Sequence, residues 1–524
     1  MASQISSAAQ LAQPFGTLAG LIRAHAAEQP SHVALIEGEC RLDYAALDAL
    51  VDRVASSLQR DGLGRGAAIA ICATTSLEYA ALFLGALRAG VAVAPLAPSS
   101  TAESLAAMAL DADARLLFVD AEVAKALAPL HSTIGASVIT LDGSDAGIAF
   151  ADWLAAEGAR PRQVEVEPGD PFNIIYSSGT TGTPKGIVQP HAMRWIHIQR
   201  AVTYEYGLQA VTLLATPLYS NTTLVSFIPS LAFGGAVVLM PRFDAVRYLE
   251  LAQRHRATHT MLVPVQYQRL MAAPEFDDYD LSSFRMKSCT SAPFAANLKA
   301  DILERWPGGL LEVYGMTEGG GATFLAAHEF PQKLHTVGKP APGHDIRLID
   351  DAGHEVAPGE AGEVVGNSPG MMSGYHNRPD LTAQAEWFDA SGRRFIRTGD
   401  IGRFDSDGFL ILLDRKKDMI ISGGFNIYPS DLEAVVRGHP AVAEVAVVGV
   451  PSQRWGETPV AFVVTGPGDS TTAAALLAWV NERVGKTQRL AGLELVPILP
   501  RSGIGKVLKR ELRQDFVARS GSVP

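Results

Sequence analysis

Apolar residues recur at helical spacing from Gly16 to Ala27 and again from Tyr44 to Gln59, where Leu47, Leu50, Val51, Val54 and Leu58 form one stripe. The period then changes. Ala67–Ala73 is a continuous run of small apolar residues, Leu77–Ala89 returns to helical spacing, and Val91–Pro95 is a second apolar run. Strand, helix and strand at this spacing predict a βαβ unit of a parallel sheet, repeated at Leu116–Val119 and Ser137–Leu141. Phe172–Tyr176, bounded by Pro168-Gly169, predicts a short buried strand. Thr212–Leu218 and Thr260–Val265 predict two more, and Phe227–Met240 mixes helical and strand-like positions around Gly234-Gly235.

Beyond Gly338 the apolar residues alternate between glycines and prolines, as in short strands of a small barrel-like sheet, with a hairpin closing at Asp405–Gly408. Leu413–Pro429 gathers charges and then a glycine pair, which reads as a boundary. After it, Ser430-x-x-Glu433 predicts a capping box opening a helix through Arg437. Val442–Val450 and Pro459–Val464 predict strands, Thr472–Val484 an amphipathic helix, and Glu494–Leu499 a third strand. The expected class is α/β. A large N-terminal domain of parallel βαβ layers with a small barrel-like sheet, residues 1–416, precedes a small α+β C-terminal domain, residues 417–524.

Length agrees with that division, since 524 residues exceed the roughly 250 to 300 at which one core stops growing. A net charge of −11 argues against broad nucleic-acid binding and against an anionic lipid surface. Cys40, Cys72 and Cys289 are odd in number, far apart and without a CxxC pair, so a disulfide framework or zinc site is not expected and a reducing cytoplasm is. The N-terminus lacks a basic stretch leading into an apolar one, and no uninterrupted apolar run of about 18 residues occurs, so neither secretion nor a membrane span is expected.

The chemistry concentrates in Ser177–Gly186, SSGTTGTPKG, directly behind a predicted buried strand. Glycines let backbone N–H groups approach an anion, hydroxyls add donors and Lys185 brings a mobile charge, so the segment reads as a polyphosphate cradle rather than a flexible linker. It is not the P-loop: counted from Gly179, proline stands at 184 where GxxxxGK[ST] needs glycine, and Gly186 follows Lys185.

The cradle resembles the phosphate-binding signature of the AMP-forming adenylating enzymes, which include acyl-CoA and aryl-CoA ligases, peptide-synthetase adenylation domains and luciferases. Further motifs follow in order. LLEVYGMTE, Leu310–Glu318, resembles the segment that places a tyrosine against adenine, a threonine near the α-phosphate and a glutamate at Mg²⁺, implying those roles for Tyr314, Thr317 and Glu318, with Gly315 between them. RTGD implies that Asp400 accepts hydrogen bonds from the ribose hydroxyls. The charged boundary resembles the family's hinge, which implies a pivot at Lys417, a mobile C-terminal domain, a ribose or phosphate contact at Arg415, and a pantetheine channel lined by Gly423 and Gly424. Trp455, in QRWG, stands where aryl-CoA ligases touch coenzyme A, though a packing role serves equally. Lys506 falls on the lysine of the final motif, which braces the carboxylate and α-phosphate during adenylation.

The resemblance implies a two-step reaction using ATP, Mg²⁺ and coenzyme A on a small carboxylic acid. Ser177, Ser178, Gly179, Thr180, Thr181, Gly182, Thr183 and Lys185 would hold phosphates. Tyr219, Ser220, Asn221, Thr290, Ser291 and Gly319 would surround the acid. Two departures stand there: Ser220 replaces the family's usual histidine, and Cys289-Thr290 replace small residues and glycine, leaving Cys289 equally a core or a pocket residue. An aromatic, arylpropenoic or medium-sized acid is expected over a long fatty acid. The alternative is a stand-alone adenylation enzyme that loads a carrier protein's phosphopantetheine. Oligomeric state is open, a homodimer being one option.

Overall fold

The computed structural model describes residues 5–177, 185–422, 425–485, 488–501 and 507–520. It divides into two compact units, Met1–Asp345 with Gly366–Ile396 and Ile346–Val365 with Arg397–Pro524.

Two sheets organise the first unit. One has eight strands in the order Gly374–Tyr375, Lys185–Pro190, Pro171–Ser177, Ala92–Pro95, Ala68–Cys72, Ala114–Val119, Ser137–Thr140 and Ile148–Ala149. From Pro171–Ser177 onward every pairing is parallel. Ala68–Cys72 is buried along its whole length, which explains why its sequence is a continuous apolar run rather than an alternation. The helix Leu77–Arg88 starts at Ser76, whose hydroxyl accepts from Tyr79 N–H. It meets the helix Tyr44–Arg60 at Gly85, where an added Cβ would stand 2.4 Å from Val54 Cβ; only glycine admits this approach.

The other sheet has nine strands, in the order Lys339–Pro340, Ala322–Ala326, Gly309–Gly315, Met286–Cys289, His259–Leu262, Val211–Leu214, Ala236–Leu239, Val33–Glu37 and Cys40–Asp43. Its middle is parallel and its edges antiparallel. Two expected strands are shorter than their apolar runs. The run from Thr260 ends as a strand at Leu262 because Pro264, with φ already suited to a helix, opens the helix Pro264–Met271. The run from Thr212 ends at Leu214, ahead of the turn that leads to Ser220. The mixed run at Phe227–Met240 resolves into the end of the helix Asn221–Ala232, a left-handed turn at Gly234 (φ +81°) and the strand Ala236–Leu239.

In the second unit, Arg397–Phe404 continues a strand begun at Arg394 and pairs with Leu410–Arg415. The hairpin closes at the expected turn, with Asp405 N–H donating to Phe409 O (2.9 Å) and Gly408 at φ +79°. The strand begun at Arg394 belongs to a sheet with Asp345–Ile349 and Gly362–Asn367, and the C-terminal part of the unit is a five-stranded sheet built on the long hairpin Val442–Ser452/Gly456–Thr465, with Gly492–Leu495 parallel to it. The helices Pro429–Arg437 and Ala473–Asn481 supply Leu432, Val436, Leu476 and Val480 to its core. The Ser430 capping box does not form. The helix starts at Pro429, Ser430 donates its hydroxyl to Leu413 O and its N–H to Asp414, and Glu433 is drawn to Val447 N–H (2.9 Å) and Lys509 (2.8 Å). Long-range partners of full charge outcompete the local cap.

The fold is thus α/β, with parallel sheets in the larger unit and a smaller α+β unit. Among the described residues no helix is long and apolar enough to cross a membrane. Cys40 is exposed, Cys72 and Cys289 are buried, and all three thiols are free.

Candidate active site

In the first unit, Pro171–Ser177 and Lys185–Pro190 form an antiparallel hairpin with Ser177 opposite Lys185, so both ends of the glycine-rich segment are fixed in register. Gly186 is required for this approach, since a Cβ there would lie 2.8 Å from Ile174 and 3.1 Å from the Tyr176 ring. Asn173 and Gln189 face one another in the hairpin, both fully buried, and their amides bond at 2.9 Å. Ser178, Gly179, Thr180, Thr181, Gly182 and Thr183 lie outside the described residues, as do Gly423, Gly424 and Lys506.

The YGMTE motif turns between Gly309–Gly315 and Ala322–Ala326, with Tyr314 opposite Thr323 and Gly315 opposite Ala322. Its turn is gripped by main-chain contacts from distant segments. Gln189 Nε2 donates to Thr317 O (2.6 Å), Met372 N–H to Glu318 O (2.8 Å) and Ser368 Oγ to Gly319 O (2.7 Å). The grip leaves no room for side chains. Gly319 has φ +74° and a Cβ there would stand 2.2 Å from Gly370 O; one at Gly320 would stand 2.4 Å from Ile396 Cβ.

Tyr375 ties the two motifs together. Its hydroxyl donates to Glu318 Oε1 (2.9 Å), and its ring centroid lies 5.4 Å from Lys185 Nζ. Burial, and then the Glu318 charge, push the phenol well above its ordinary range, so it stays a donor at neutral pH. Tyr375 is not legible as a site residue in the sequence, because Gly374-Tyr375 sits in a glycine- and proline-rich stretch of structural character and its contact with Glu318 spans 57 residues. Glu318 is a hard oxygen donor, as Mg²⁺ prefers, and the tyrosine hydrogen bond orients it. Among the described residues no cluster of three or more His, Cys, Asp or Glu could hold a metal alone, so a Mg²⁺ at Glu318 would complete its shell from phosphate and water.

The residues expected around the acid are partly gathered. Ser220, buried, caps the helix Asn221–Ala232 by accepting from Thr222 N–H (3.3 Å), a structural use of the hydroxyl that stands where histidine is usual. Thr222 and Ser291 hydroxyls meet at 2.6 Å, joining that helix to the loop after Met286–Cys289, and Ser291 adopts φ +82°. Thr290 donates to Val313 O (2.7 Å), beside Tyr314. Tyr219 is half-buried. Cys289 is wholly enclosed and its thiol is held protonated by burial, which settles it as a core residue.

In the second unit Asp400, 8% exposed, pairs through Oδ1 with Arg415 Nε at 2.8 Å, and its N–H donates to Thr398 Oγ1 (3.0 Å). The neighbouring strands bring the pair together, since Asp400 faces Arg415 in the hairpin register. Lys416 reaches Asp351 (2.7 Å) and Glu363 (3.1 Å), and Arg397 also reaches Glu363 (2.9 Å). Lys417 is exposed, and its ammonium is lowered by partial desolvation against the pull of Asp418 and Asp400. Trp455 is 46% exposed, with Arg454 stacked 4.6 Å above its ring. An indole left this open contributes little to packing and presents a face to an aromatic ligand.

Comparison with known proteins places these pieces. Residues 22–376 match the model of the AMP-binding enzyme family, and residues 431–506 match the AMP-binding enzyme C-terminal domain. The chain is 34% identical to the indoleacetate–CoA ligase of Aromatoleum aromaticum, over 94% of this chain and 97% of that enzyme. It is 33% identical to a feruloyl-CoA synthase from Amycolatopsis sp, over 93% and 96%. The structure of ATP-bound MatB from Rhodopseudomonas palustris superposes with a TM-score of 0.87 at 30% identity, covering 95% of this chain and 99% of MatB. A chain that carries the cradle hairpin, the gripped YGMTE turn and the Asp400–Arg415 pair, and that matches over nearly its whole length, belongs to the AMP-binding enzyme family.

Proposed function

We propose that the protein is an AMP-forming carboxylic acid–CoA ligase acting on an aromatic, arylpropenoic or medium-sized acid. The observation that carries this reading is the Lys185–Tyr375–Glu318 chain, which sets a cation and a hard carboxylate at the two motifs that serve the phosphates in this family. In the first step a carboxylate oxygen bonds to the α-phosphorus of ATP while the bond to the bridging oxygen breaks, and pyrophosphate leaves with that electron pair. Lys185 and the cradle residues Ser177, Ser178, Gly179, Thr180, Thr181, Gly182 and Thr183 hold phosphates, Tyr314, Gly315 and Thr317 seat the nucleotide, Asp400 and Arg415 take the ribose, and Lys506 balances the charge that develops. Mg²⁺, when held by Glu318, supplies charge neutralisation on phosphate oxygen. In the second step the thiol sulfur of coenzyme A attacks the acyl carbon, AMP leaves, and the thiol proton passes to solvent.

The same proposal assigns Lys417 as the pivot on which residues 417–524 turn between the steps, with Gly423 and Gly424 along the pantetheine path and Trp455 against the adenine of coenzyme A. The position of Lys417, exposed and two residues after the strand Leu410–Arg415 in the charged boundary, supports it. Lys417→Pro then spares acid-dependent pyrophosphate release and stops thioester formation; equal loss of both steps removes the pivot. We place the enzyme in the cytoplasm, which the three free thiols support. The deciding assay supplies ATP, an acid panel and either coenzyme A or a phosphopantetheinyl carrier protein. Acid-dependent pyrophosphate release followed by acyl-CoA is the expected result, and acyl transfer to the carrier alone overturns the ligase reading.

A further inference from the structure

The helix His191–Arg200, which follows the cradle hairpin, carries Arg194, His197 and Arg200 at three-residue spacing, on one stripe. All three sit inside the first unit, and their partners are unusual for buried cations. Arg194, 1% exposed, donates only to neutral amide oxygens: Asn173 Oδ1 (3.2 Å from both Nε and Nη2), Gln189 Oε1, and Asn221 Oδ1 (2.8 Å). Its Nη1 is buried without a hydrogen-bond partner, and so are Arg200 Nε and His197 Nδ1. Arg200 Nη1 contacts His344 Nε2, and its guanidinium lies 5.8 Å from the Phe324 ring centroid. Among the described residues, no carboxylate forms an ion pair with Arg194 or Arg200.

Elsewhere in this unit buried cations have their donors met: Lys287, which has no carboxylate beside it among the described residues, donates to the carbonyls of Trp306, Pro307 and Gly308 (2.6–3.0 Å). Lys299 is paired with Glu312, and Arg88 with Asp48 and Asp52. One enclosed and one half-buried guanidinium without a counter-ion, with three orphaned nitrogens on the same stripe, leave charge and donors unsatisfied where an ordinary interior pairs them. Burial lowers both arginines and, with Arg194 and Arg200 beside it, holds the His197 ring neutral. His197 and Arg200 are half-buried, so this end of the stripe keeps accessible surface while Arg194 is enclosed.

The stripe adjoins the residues assigned to the acid. Asn221 is bound by Arg194, and Ser291 is joined to the same helix through Thr222. On the other side, Met193 Cε lies 2.8 Å from where a Gly319 Cβ would be, and His197 Nε2 lies 3.6 Å from the Cβ position of Gly370. We propose that Arg200, His197 and the free edge of Arg194 form a subsite for a second oxyanion at the far end of the substrate, so that the preferred acid is dianionic, with a carboxylate remote from the reacting one. This deepens the ligase reading and rests on its assignment of Asn221, Ser291 and Gly319 to the acid pocket. The charge on the substrate is then the counter-ion that the arginines lack, and a hydrocarbon tail in the same space leaves them unpaired.

Equilibrium binding without ATP separates this from the ligase reading. The probes are matched pairs, octanoate with octanedioate and 3-phenylpropanoate with its 4-carboxy derivative. The dianion of each pair is expected to bind at least tenfold more tightly. Arg200→Met and His197→Leu, checked for folding by their melting temperatures, are expected to remove that preference while leaving the monoanion's affinity within about twofold. Equal affinity for both members, no binding of either dianion, or equal weakening of both members in every folded variant overturns the subsite. Pyrophosphate exchange is scored separately: its absence with every acid overturns the ligase reading, while the binding difference still decides the subsite.

Discussion

The YGMTE turn in the first unit and the Asp400–Arg415 hairpin in the second are held by different physics. Glu318 is fixed by close packing and by neutral hydrogen bonds: Gly319 and Gly320 lie where no Cβ fits, three main-chain carbonyls are gripped, and the carboxylate itself is met by a phenol. Asp400 is fixed by charge, opposite Arg415, in a unit whose inner wall also carries Lys509 between Glu433 and Asp414. Steric fixation is short-ranged and indifferent to salt and pH. Charge fixation responds to both.

The largest expected effect attacks the packed side. Gly319→Ala places a Cβ 2.2 Å from Gly370 O in a left-handed conformation, and is expected to cost about 3 kcal/mol and to lower acid-dependent pyrophosphate exchange more than a hundredfold. Thermal unfolding and exchange assays read it; a variant with wild-type activity would mean that the turn is not held by contact. Lys509→Met comes next, because it removes the cation that Glu433 and Asp414 share and leaves Glu433 only the exposed Arg437 (3.1 Å). About 3 kcal/mol of stability should be lost, read as early melting of the second unit in hydrogen exchange while the YGMTE segment stays protected. Tyr375→Phe removes one hydrogen bond from Glu318, with about 1 kcal/mol lost and exchange activity lowered roughly tenfold at an almost unchanged melting temperature. If the melting temperature falls and the rate does not, Tyr375 is structural only.

The smallest effect is on pH. Burial alone would lower Lys509, but Glu433 and Asp414 together hold its ammonium above the ordinary lysine value. A cation raised on folding contributes stability that is complete below its unfolded value and disappears as pH rises through the folded one. The second unit should therefore lose protection at alkaline pH, starting above about 10.5, before the first unit does. Simultaneous loss in both units would erase the contrast.

The parts of this molecule that the sequence announces are those decided by neighbours a few residues away. Ala68–Cys72 and Leu77–Arg88 are legible because a parallel strand covered on both faces must be apolar throughout and a following helix must be amphipathic or buried. The Asp405–Gly408 turn is legible for the same reason of locality. Errors arise where distant groups intervene. Ser430 and Glu433 have the spelling of a capping box but answer to Leu413, Asp414, Val447 and Lys509. Tyr375 is invisible as a site residue because Glu318 lies 57 positions away. Arg194, His197 and Arg200 do form a helical stripe in the sequence, but a basic stripe ordinarily marks a solvated face, and only the burial of Arg194 and the orphaned nitrogens of all three reveal otherwise. Cys289 could have been read either way until its complete burial was seen.

The first unit is discontinuous, and the grip on Glu318 and Gly319 comes from its late piece: Ser368, Met372 and Tyr375 follow a departure of the chain through Ile346–Val365, while Gln189 of the early piece holds only Thr317. On the ribosome, therefore, the cradle hairpin and the turn are both synthesised well before the residues that clamp them. A nascent chain arrested before Gly366 has emerged would own every nucleotide motif of the large unit and still leave Glu318 unanchored, so competence for ATP arrives abruptly, as a step in translation rather than a gradual gain.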